Sequence, residues 1–429
     1  MAVIDQDRIV ADDAMRLADH ERDLAHAVEQ VDRRGRDAEG VIRKLQRLTV
    51  AVPSWALGTG GTRFGRFPRG GEPRTIEEKV DDVAALHRLT AANATISLHI
   101  PWDDPSDPAA LRAHADDRGI GFDAINSNTF QDNLQTTQNG AVSFKYGSLA
   151  STDDGARNAA IEHNLACIEL GEKLGSTALS IWIGDGTNHP GQADFRGQFE
   201  RTAAAMHEIH NQLPDHWAMF TEHKPYEPAF YSTVNQDWGS SLLLAQAAGE
   251  RASCLVDLGH HLPNANIEMI VSRLAMAGRL AGFHFNDSKY GDDDLTTGSI
   301  HPYQLFLIFH ELVKHGGGEL PDLAYMLDQS HNVKDPLEDL LQSTEALALA
   351  YAQALLVDQD ALHAAQQDND ATVAQALVQD AYRTDARPLV AEARRREGGA
   401  IAPVAAFRAT GYREAARASR GDDIVATGL

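Results

Sequence analysis

Two cysteines are all that the 429 residues contain. Cys167 and Cys254 sit inside apolar runs, NLACIEL and ASCLVDL, so a disulfide framework is excluded and buried, reduced thiols are expected. No uninterrupted apolar stretch approaches the ~20 residues that span a bilayer, so no membrane partner is expected. The opening MAVIDQDRIV lacks the basic and apolar regions of a secretory leader, and with the reduced thiols this leads to the expectation of a cytoplasmic protein. Positive charge is scarce as well: 38 Lys and Arg against 62 Asp and Glu leave a formal net charge of −24. That balance repels polyphosphate and argues against nucleic acid as a partner. What remains, 43% hydrophobic and 23% charged residues, is the composition of a globular protein with a sizeable core.

The pattern of that apolar content is informative. Residues 5–47 are polar, with Ile9, Met15, Leu17 and Leu24 at helical spacing, and read as one or two helices outside the core. Short β-branched runs then alternate with amphipathic stretches. The runs are 48–57, 94–102, 121–128, 177–185, 217–224, 252–260, 280–287 and 323–330. Segments such as RTIEEKVDDVAALHRLTA and FRGQFERTAAAMHEIHNQL read as the helices between them. Near-continuous apolar strands are expected where crossover helices cover both faces of a parallel sheet. Eight such units in about 280 residues fit a (β/α)₈ TIM barrel, which uses ~250 for its eight repeats. A doubly wound sheet would want a phosphate loop after its first strand. The glycine-rich GTGGTRFGRFPRGG (58–71) lacks GK[ST] and reads as a long mobile loop. The expected organisation is an N-terminal helical segment (1–47), the barrel (48–356) and a helical extension (357–429). The extension has too little apolar content to fold alone, so it should wrap the barrel or a neighbouring subunit.

A TIM barrel builds its site where the strands end. Glu222 and Lys224 end the fifth run, where alternation is expected to set both on one strand face, Asp257 and His260 the sixth, His284, Asn286 and Asp287 the seventh, and Asp328 the eighth. Asp257 in LVDLG and His284 between Phe283 and Phe285 interrupt apolar strands, where an unpaired polar group is costly. A lone strand-end carboxylate is ordinarily a solvated loop residue and a lone buried His a satisfied core residue. Four coincidences on successive strands point instead to one cage, Glu222, Asp257, His284 and Asp328. Mixed oxygen and nitrogen ligands suit Mn²⁺ first, with Co²⁺, Zn²⁺ or Mg²⁺ also compatible. His260 and the alternating Asp292 and Asp294 of GDDD suggest a second ion, with Asp257 shared, provided that the loop is extended. As a bland alternative, GDDD is a solvated acidic loop and Lys224 a plain ion-pair partner. His99 in SLHIPW, Trp182 in SIWIGD and Trp55 at the end of the first run are candidate sugar-facing residues.

These segments resemble a known family. VAVPSWALGTGGTRFGRF, SLHIPWD, GFDAINSNTF, WIGDG, EHK, YEPAFYSTVNQDWG, CLVDLGHH, GFHFNDSKYGDDDL and DQSHNV look like L-rhamnose isomerase of the pseudomonad type, within the xylose-isomerase-like superfamily. The resemblance covers nearly the whole chain. It implies a homotetramer with two divalent ions per subunit, one structural (Glu222, Asp257, His284, Asp328) and one catalytic (Asp257, His260, Asp292, Asp294). It also implies that His99 assists ring opening, that Lys224 contacts substrate oxygens and that Trp182 lines the pocket. Phe64 is implied to reach into a neighbouring subunit's site. His99, Lys224 and Asp328 are the candidate catalytic residues, and Trp55, Phe64, His99, Trp182 and Lys224 the candidate substrate contacts.

The expected activity is aldose–ketose isomerisation, L-rhamnose to L-rhamnulose and related sugars, with hydrogen passing from C2 to C1 as a hydride or, in the alternative, through an enediol formed by a proton-abstracting base. The rivals are a single-metal ketose 3-epimerase of the same superfamily, a metal-dependent endonuclease and a non-catalytic sugar- or metal-binding barrel. The endonuclease is disfavoured by the acidic balance, and the epimerase leaves His260, Asp292 and Asp294 without a purpose. The sugar itself is not fixed by sequence, because one methyl or hydroxymethyl group is worth only ~1–3 kcal/mol of discrimination in an apolar pocket.

Overall fold

Apolar runs too short for helices but flanked by long amphipathic ones fold as strand–helix repeats, and the chain closes them into a barrel. The computed structural model describes residues 4–58, 61–62, 65–66, 70–132, 142–227, 231–329 and 333–422. Eight parallel strands form one sheet in chain order: β1 (Val52–Pro53), β2 (Thr95–Ile100), β3 (Gly121–Asn128), β4 (Ala178–Trp182), β5 (Ala218–Glu222), β6 (Ala252–Asp257), β7 (Leu280–Phe285) and β8 (Ala324–Leu327). A parallel bridge between Ala51 and Met326 joins the first strand to the last, with Ala51 N donating to Tyr325 O at 2.8 Å. This is the TIM barrel expected from the sequence rhythm. Each expected run contains one strand, but the first shrinks to two residues. Pro53 has no N–H to donate, and a 3₁₀ turn at Ser54–Ala56 follows at once.

Two helices precede the barrel, α1 (Gln6–Arg33) and α2 (Ala38–Leu45). The barrel helices are α3 (Ile76–Thr90), α4 (Pro108–Asp116), α5 (Asp154–Leu174), α6 (Phe195–Asn211), α7 (Trp238–Ala248), α8 (Ile267–Met276), α9 (Pro302–His315) and α10 (Pro336–Leu355). Five helices follow: α11 (Gln359–Gln367), α12 (Ala371–Tyr382), α13 (Arg387–Arg396), α14 (Pro403–Thr410) and α15 (Tyr412–Arg420). The extension packs on its own barrel and on the N-terminal helices. Tyr412 Oη donates to the fully buried Asp82 of α3 at 2.6 Å, and His20 of α1 meets Glu392 of α13 at 3.0 Å in the interior. Part of the acidity has a local use: Asp5, Asp37, Asp107, Asp153, Asp194, Asp237, Asp335, Asp358 and Asp370 each cap a helix N-terminus through a side-chain oxygen.

Strand alternation separates two cores. Met219, Cys254, Val256, Phe283 and Phe285 face the helices and join the main cluster. Ala124, Ala178, Phe220, Leu255 and Ala281 form a separate cluster inside the barrel. On β5 and β6 the next inward positions toward the C-terminal end are Glu222 and Asp257. An apolar floor therefore lies beneath a polar mouth. Among the described residues no single helix is long and apolar enough to cross a membrane.

Candidate metal centre and its aromatic wall

Glu222 and Asp257 are the last residues of β5 and β6, His284 is the penultimate residue of β7, and Asp328 follows β8 directly. Strand register pairs Asp257 with His284 and Glu222 with Leu255, two residues before Asp257, and the side chains of Glu222, Asp257, His284 and Asp328 converge across that offset. Their donor atoms lie within 4.8 Å of one another. His284 Nδ1 is 3.4 Å from Glu222 Oε2, 3.8 Å from Asp257 Oδ2 and 3.2 Å from Asp328 Oδ2. His260 leans in from the turn after β6, with Nδ1 3.1 Å from Glu222 Oε1 and 4.0 Å from Asp257 Oδ2. Its Nε2 is 3.2 Å from Asp292 Oδ1.

The neighbours hold this cluster rather than neutralise it. Asp257 Oδ1 accepts from Gly259 N at 2.7 Å and Asn286 Nδ2 at 2.9 Å, which leaves Oδ2 turned toward the cage. Trp55 Nε1 donates to Asp328 Oδ1 at 2.8 Å. Asp257 Oδ2, His260 Nδ1 and His284 Nδ1 are buried, yet none makes a hydrogen bond of acceptable geometry despite the close approaches. Atoms that converge on a shared point instead of pairing fit a cation between them.

Electrostatics say the same. Burial pushes the Asp257 carboxyl up to about 7, and the charges of Asp328 and Glu222 push the same way against His260 and His284. Burial opposes the charge on Glu222 too, but the charge of His284 and the close approach of both imidazoles outweigh it and hold that carboxyl well below its usual range. Burial would lower the His284 imidazole, but Glu222 and Asp328 outweigh it and raise it strongly. His260 is likewise raised against burial, chiefly by Asp257 and Glu222. Three carboxylates at this spacing, Glu222 and Asp257 buried and Asp328 partly so, need protons or a cation, and the oxygen–nitrogen donor set suits a divalent ion.

Beside the cage stands an aromatic arc. Trp55 and His99 are 5.3 Å apart between ring centroids, His99 and Trp102 4.7 Å, His99 and Phe130 6.0 Å, and Phe130 and Trp182 4.3 Å edge to face. Lys224 closes it, with Nζ 4.8 Å from the Trp182 ring centre and 2.6 Å from Asp292 Oδ2. Burial pushes the His99 imidazole down to about 4, so the ring is neutral near pH 7.

The structure thus brings together Trp55, His99, Trp182, Glu222, Lys224, Asp257, His260, His284, Asp292 and Asp328. Two expectations about position need correcting. Lys224 does not share a strand face with Glu222, because β5 stops at Glu222 and Lys224 N instead donates to Asn235 O at 2.9 Å. The GDDD loop is not extended. Asp293 Oδ2 accepts from Lys289 N at 2.7 Å and Tyr290 N at 2.9 Å, and Asp294 adopts a left-handed φ of 50°. Alternation therefore does not set Asp292 and Asp294 side by side; Asp tolerates this conformation because its short polar side chain bonds locally. Phe64 lies outside the described residues. Sequence reading did not single out Trp102, Phe130 or Asp103. The first two stand two residues beyond the ends of β2 and β3, a signal that was available.

No family model matches the chain. A probable sugar isomerase of Mesorhizobium japonicum is 54% identical over 420 residues, which are 97% of this chain and 96% of that protein. A second probable sugar isomerase, of Rhizobium meliloti, is 53% identical over 412 residues, 96% of this chain and 95% of the relative. Among solved structures, an L-ribulose 3-epimerase superposes with a TM-score of 0.54 at 15% identity, covering 72% of this chain and 95% of its own. A D-psicose 3-epimerase structure with D-fructose gives 0.51 at 13% identity, covering 72% and 99%. At such identity these likenesses concern the barrel alone.

Proposed function

The chain belongs to the sugar isomerase family of the two rhizobial relatives, and from that premise we propose that it is a divalent-metal-dependent aldose–ketose isomerase. Its substrates are L-rhamnose and L-rhamnulose, with L-mannose, L-lyxose and D-allose as related sugars. The observation that carries this reading is the four-residue cage at the barrel mouth with His260 and the Lys224–Asp292 pair against it and an aromatic arc alongside.

Glu222, Asp257, His284 and Asp328 would hold one ion, and His260, Asp292 and Asp294 a second with Asp257 shared; Mn²⁺ is the first choice. Bound there, the ions supply Lewis acidity toward the carbonyl and hydroxyl oxygens at C1 and C2. The chain's own residues do the rest. The aromatic arc offers flat faces to the C–H face of a sugar. Neutral His99 can accept or give the proton that moves when the ring opens. Lys224, already paired with Asp292, presents its ammonium to substrate oxygens. With the mouth carboxylates engaged in the cage and with Lys224, no dedicated carbon base is left among the described residues, so the C2 hydrogen passes to C1 as a hydride while the proton on O2 passes to O1. We extend the proposal to a homotetramer in which Phe64 enters a neighbour's pocket.

The test is direct. Purified protein incubated with L-rhamnose in Mn²⁺ is expected to form L-rhamnulose, and substrate deuterated at C2 is expected to keep its label in the ketose. Washout of the label overturns the hydride step. C3 epimerisation of ketoses without aldose turnover overturns the isomerase reading in favour of an epimerase.

A further inference from the structure

A buried polar node lies behind the aromatic arc and belongs to none of the roles above. Asp103, 4% exposed, sits in the turn after β2. Its Oδ1 accepts from Lys79 Nζ of α3 at 2.6 Å, and Lys79 is itself 6% exposed. Its Oδ2 accepts from the backbone N–H of His99 at 2.8 Å and from the hydroxyl of Ser54, which is fully buried. Asp103 N in turn donates to His99 O at 3.0 Å, closing the turn. One carboxylate thereby ties the end of β1, the end of β2 and the first barrel helix. The residues it fixes are the chain neighbours of the arc: Ser54 precedes Trp55, His99 is held by its own backbone, and Trp102 precedes Asp103.

We propose that Asp103 is the positioning residue of the sugar-facing wall, setting Trp55, His99 and Trp102 in the arrangement that the pocket presents to substrate. An ion pair kept only for stability would need one partner, and it could be replaced by apolar groups of similar volume at little cost. Asp103 uses both oxygens on three elements, and at the ends of two of them, β1 and β2, lie the arc residues Trp55, His99 and Trp102. Naming the ligand as a sugar rests on the isomerase reading; the positioning of the rings does not.

The experiment compares two double variants, so that no buried Lys79 charge is left unpaired. Asp103→Leu with Lys79→Met removes every acceptor, leaving the His99 N–H and the Ser54 hydroxyl without their partner. Asp103→Asn with Lys79→Met keeps one carbonyl oxygen for them. Both are labelled with 5-fluorotryptophan and read by ¹⁹F NMR, alongside steady-state kinetics on L-rhamnose. In the Leu/Met variant the Trp55 and Trp102 resonances are expected to move while that of core-buried Trp217 stays, with KM raised about ten-fold and kcat changed less. The Asn/Met variant is expected to return both readouts most of the way to wild type, a rescue that a purely structural ion pair would not show. Unmoved Trp55 and Trp102 resonances with unchanged KM in the Leu/Met variant overturn the proposal. Wild-type protein that turns over no sugar refutes the isomerase reading instead, and the resonances still decide the role of Asp103.

Discussion

Trp55→Phe separates the two things that Trp55 does. Phe keeps an aromatic ring 5.3 Å from the imidazole of His99 but loses the Nε1–H that donates to Asp328 Oδ1 at 2.8 Å. A hydrogen bond to a charged group is worth roughly 1.5–3 kcal/mol. Its loss acts on the cage in opposite directions. The Asp328 carboxylate becomes more basic, which favours a cation, but it is no longer oriented. Burial opposes its charge, and His284 leads in holding it below the usual carboxylate range, with Trp55 a weaker contributor, so the gain in basicity is small. Orientation therefore dominates, and loss of such an outer partner lowers metal affinity about 10–100-fold. Titration of EDTA-stripped protein with Mn²⁺ by calorimetry is expected to show a Kd weaker by about ten-fold or more, equivalent to ~1.4 kcal/mol. A Kd unchanged within about two-fold would refute the orienting role of that hydrogen bond.

Three further outcomes follow from the same geometry. Asp257→Asn keeps an oxygen for Gly259 N and Asn286 Nδ2 and removes a charge that burial disfavours; a raised carboxyl pKa costs stability as pH rises through the interval up to about 7. The variant should therefore be more stable than wild type without metal at pH 8, by roughly 1–3 kcal/mol, and should lose Mn²⁺ binding; calorimetric melting with and without Mn²⁺ checks both. His99, depressed by burial to about 4, contributes stability that is present above its unfolded value near 6.5 and lost as pH falls through 4. NMR of its ring protons in metal-free protein should show no protonation between pH 8 and 5, and a midpoint near 6.5 would contradict the burial argument. Asp185 accepts from Ser148 N at 2.7 Å, Ser148 Oγ at 2.9 Å and Ala150 N at 2.8 Å, so Asp185→Ala orphans buried donors. Denaturant unfolding should show a loss of about 2–4 kcal/mol with Mn²⁺ affinity unchanged.

The barrel was legible because its evidence is repetitive: eight apolar runs, each interrupted or ended by a polar residue. Asp257 and His284 stood out because charge inside an apolar strand demands a partner, and the register of β6 against β7 supplies one. The loops were less legible. Alternation is a property of strands, so it could not place Lys224 beyond the end of β5 or orient GDDD, where Asp293 closes a turn on Lys289 N. Asp103 was invisible for a related reason: SLHIPWDDP shows two adjacent acids, and only the folded turn shows which of them turns back onto His99 N. The use of acidic residues as helix caps was also unread, because net charge does not say where a carboxylate sits.

If the mouth of the barrel is a two-ion isomerase site, activity depends on metal and returns with it. Protein stripped with EDTA is assayed for conversion of L-rhamnose to L-rhamnulose before and after Mn²⁺ is restored, with bound ions counted per subunit. Activity that vanishes and returns with two ions bound is the predicted result. One ion bound with no aldose turnover, or turnover that survives complete removal of metal, would contradict the account.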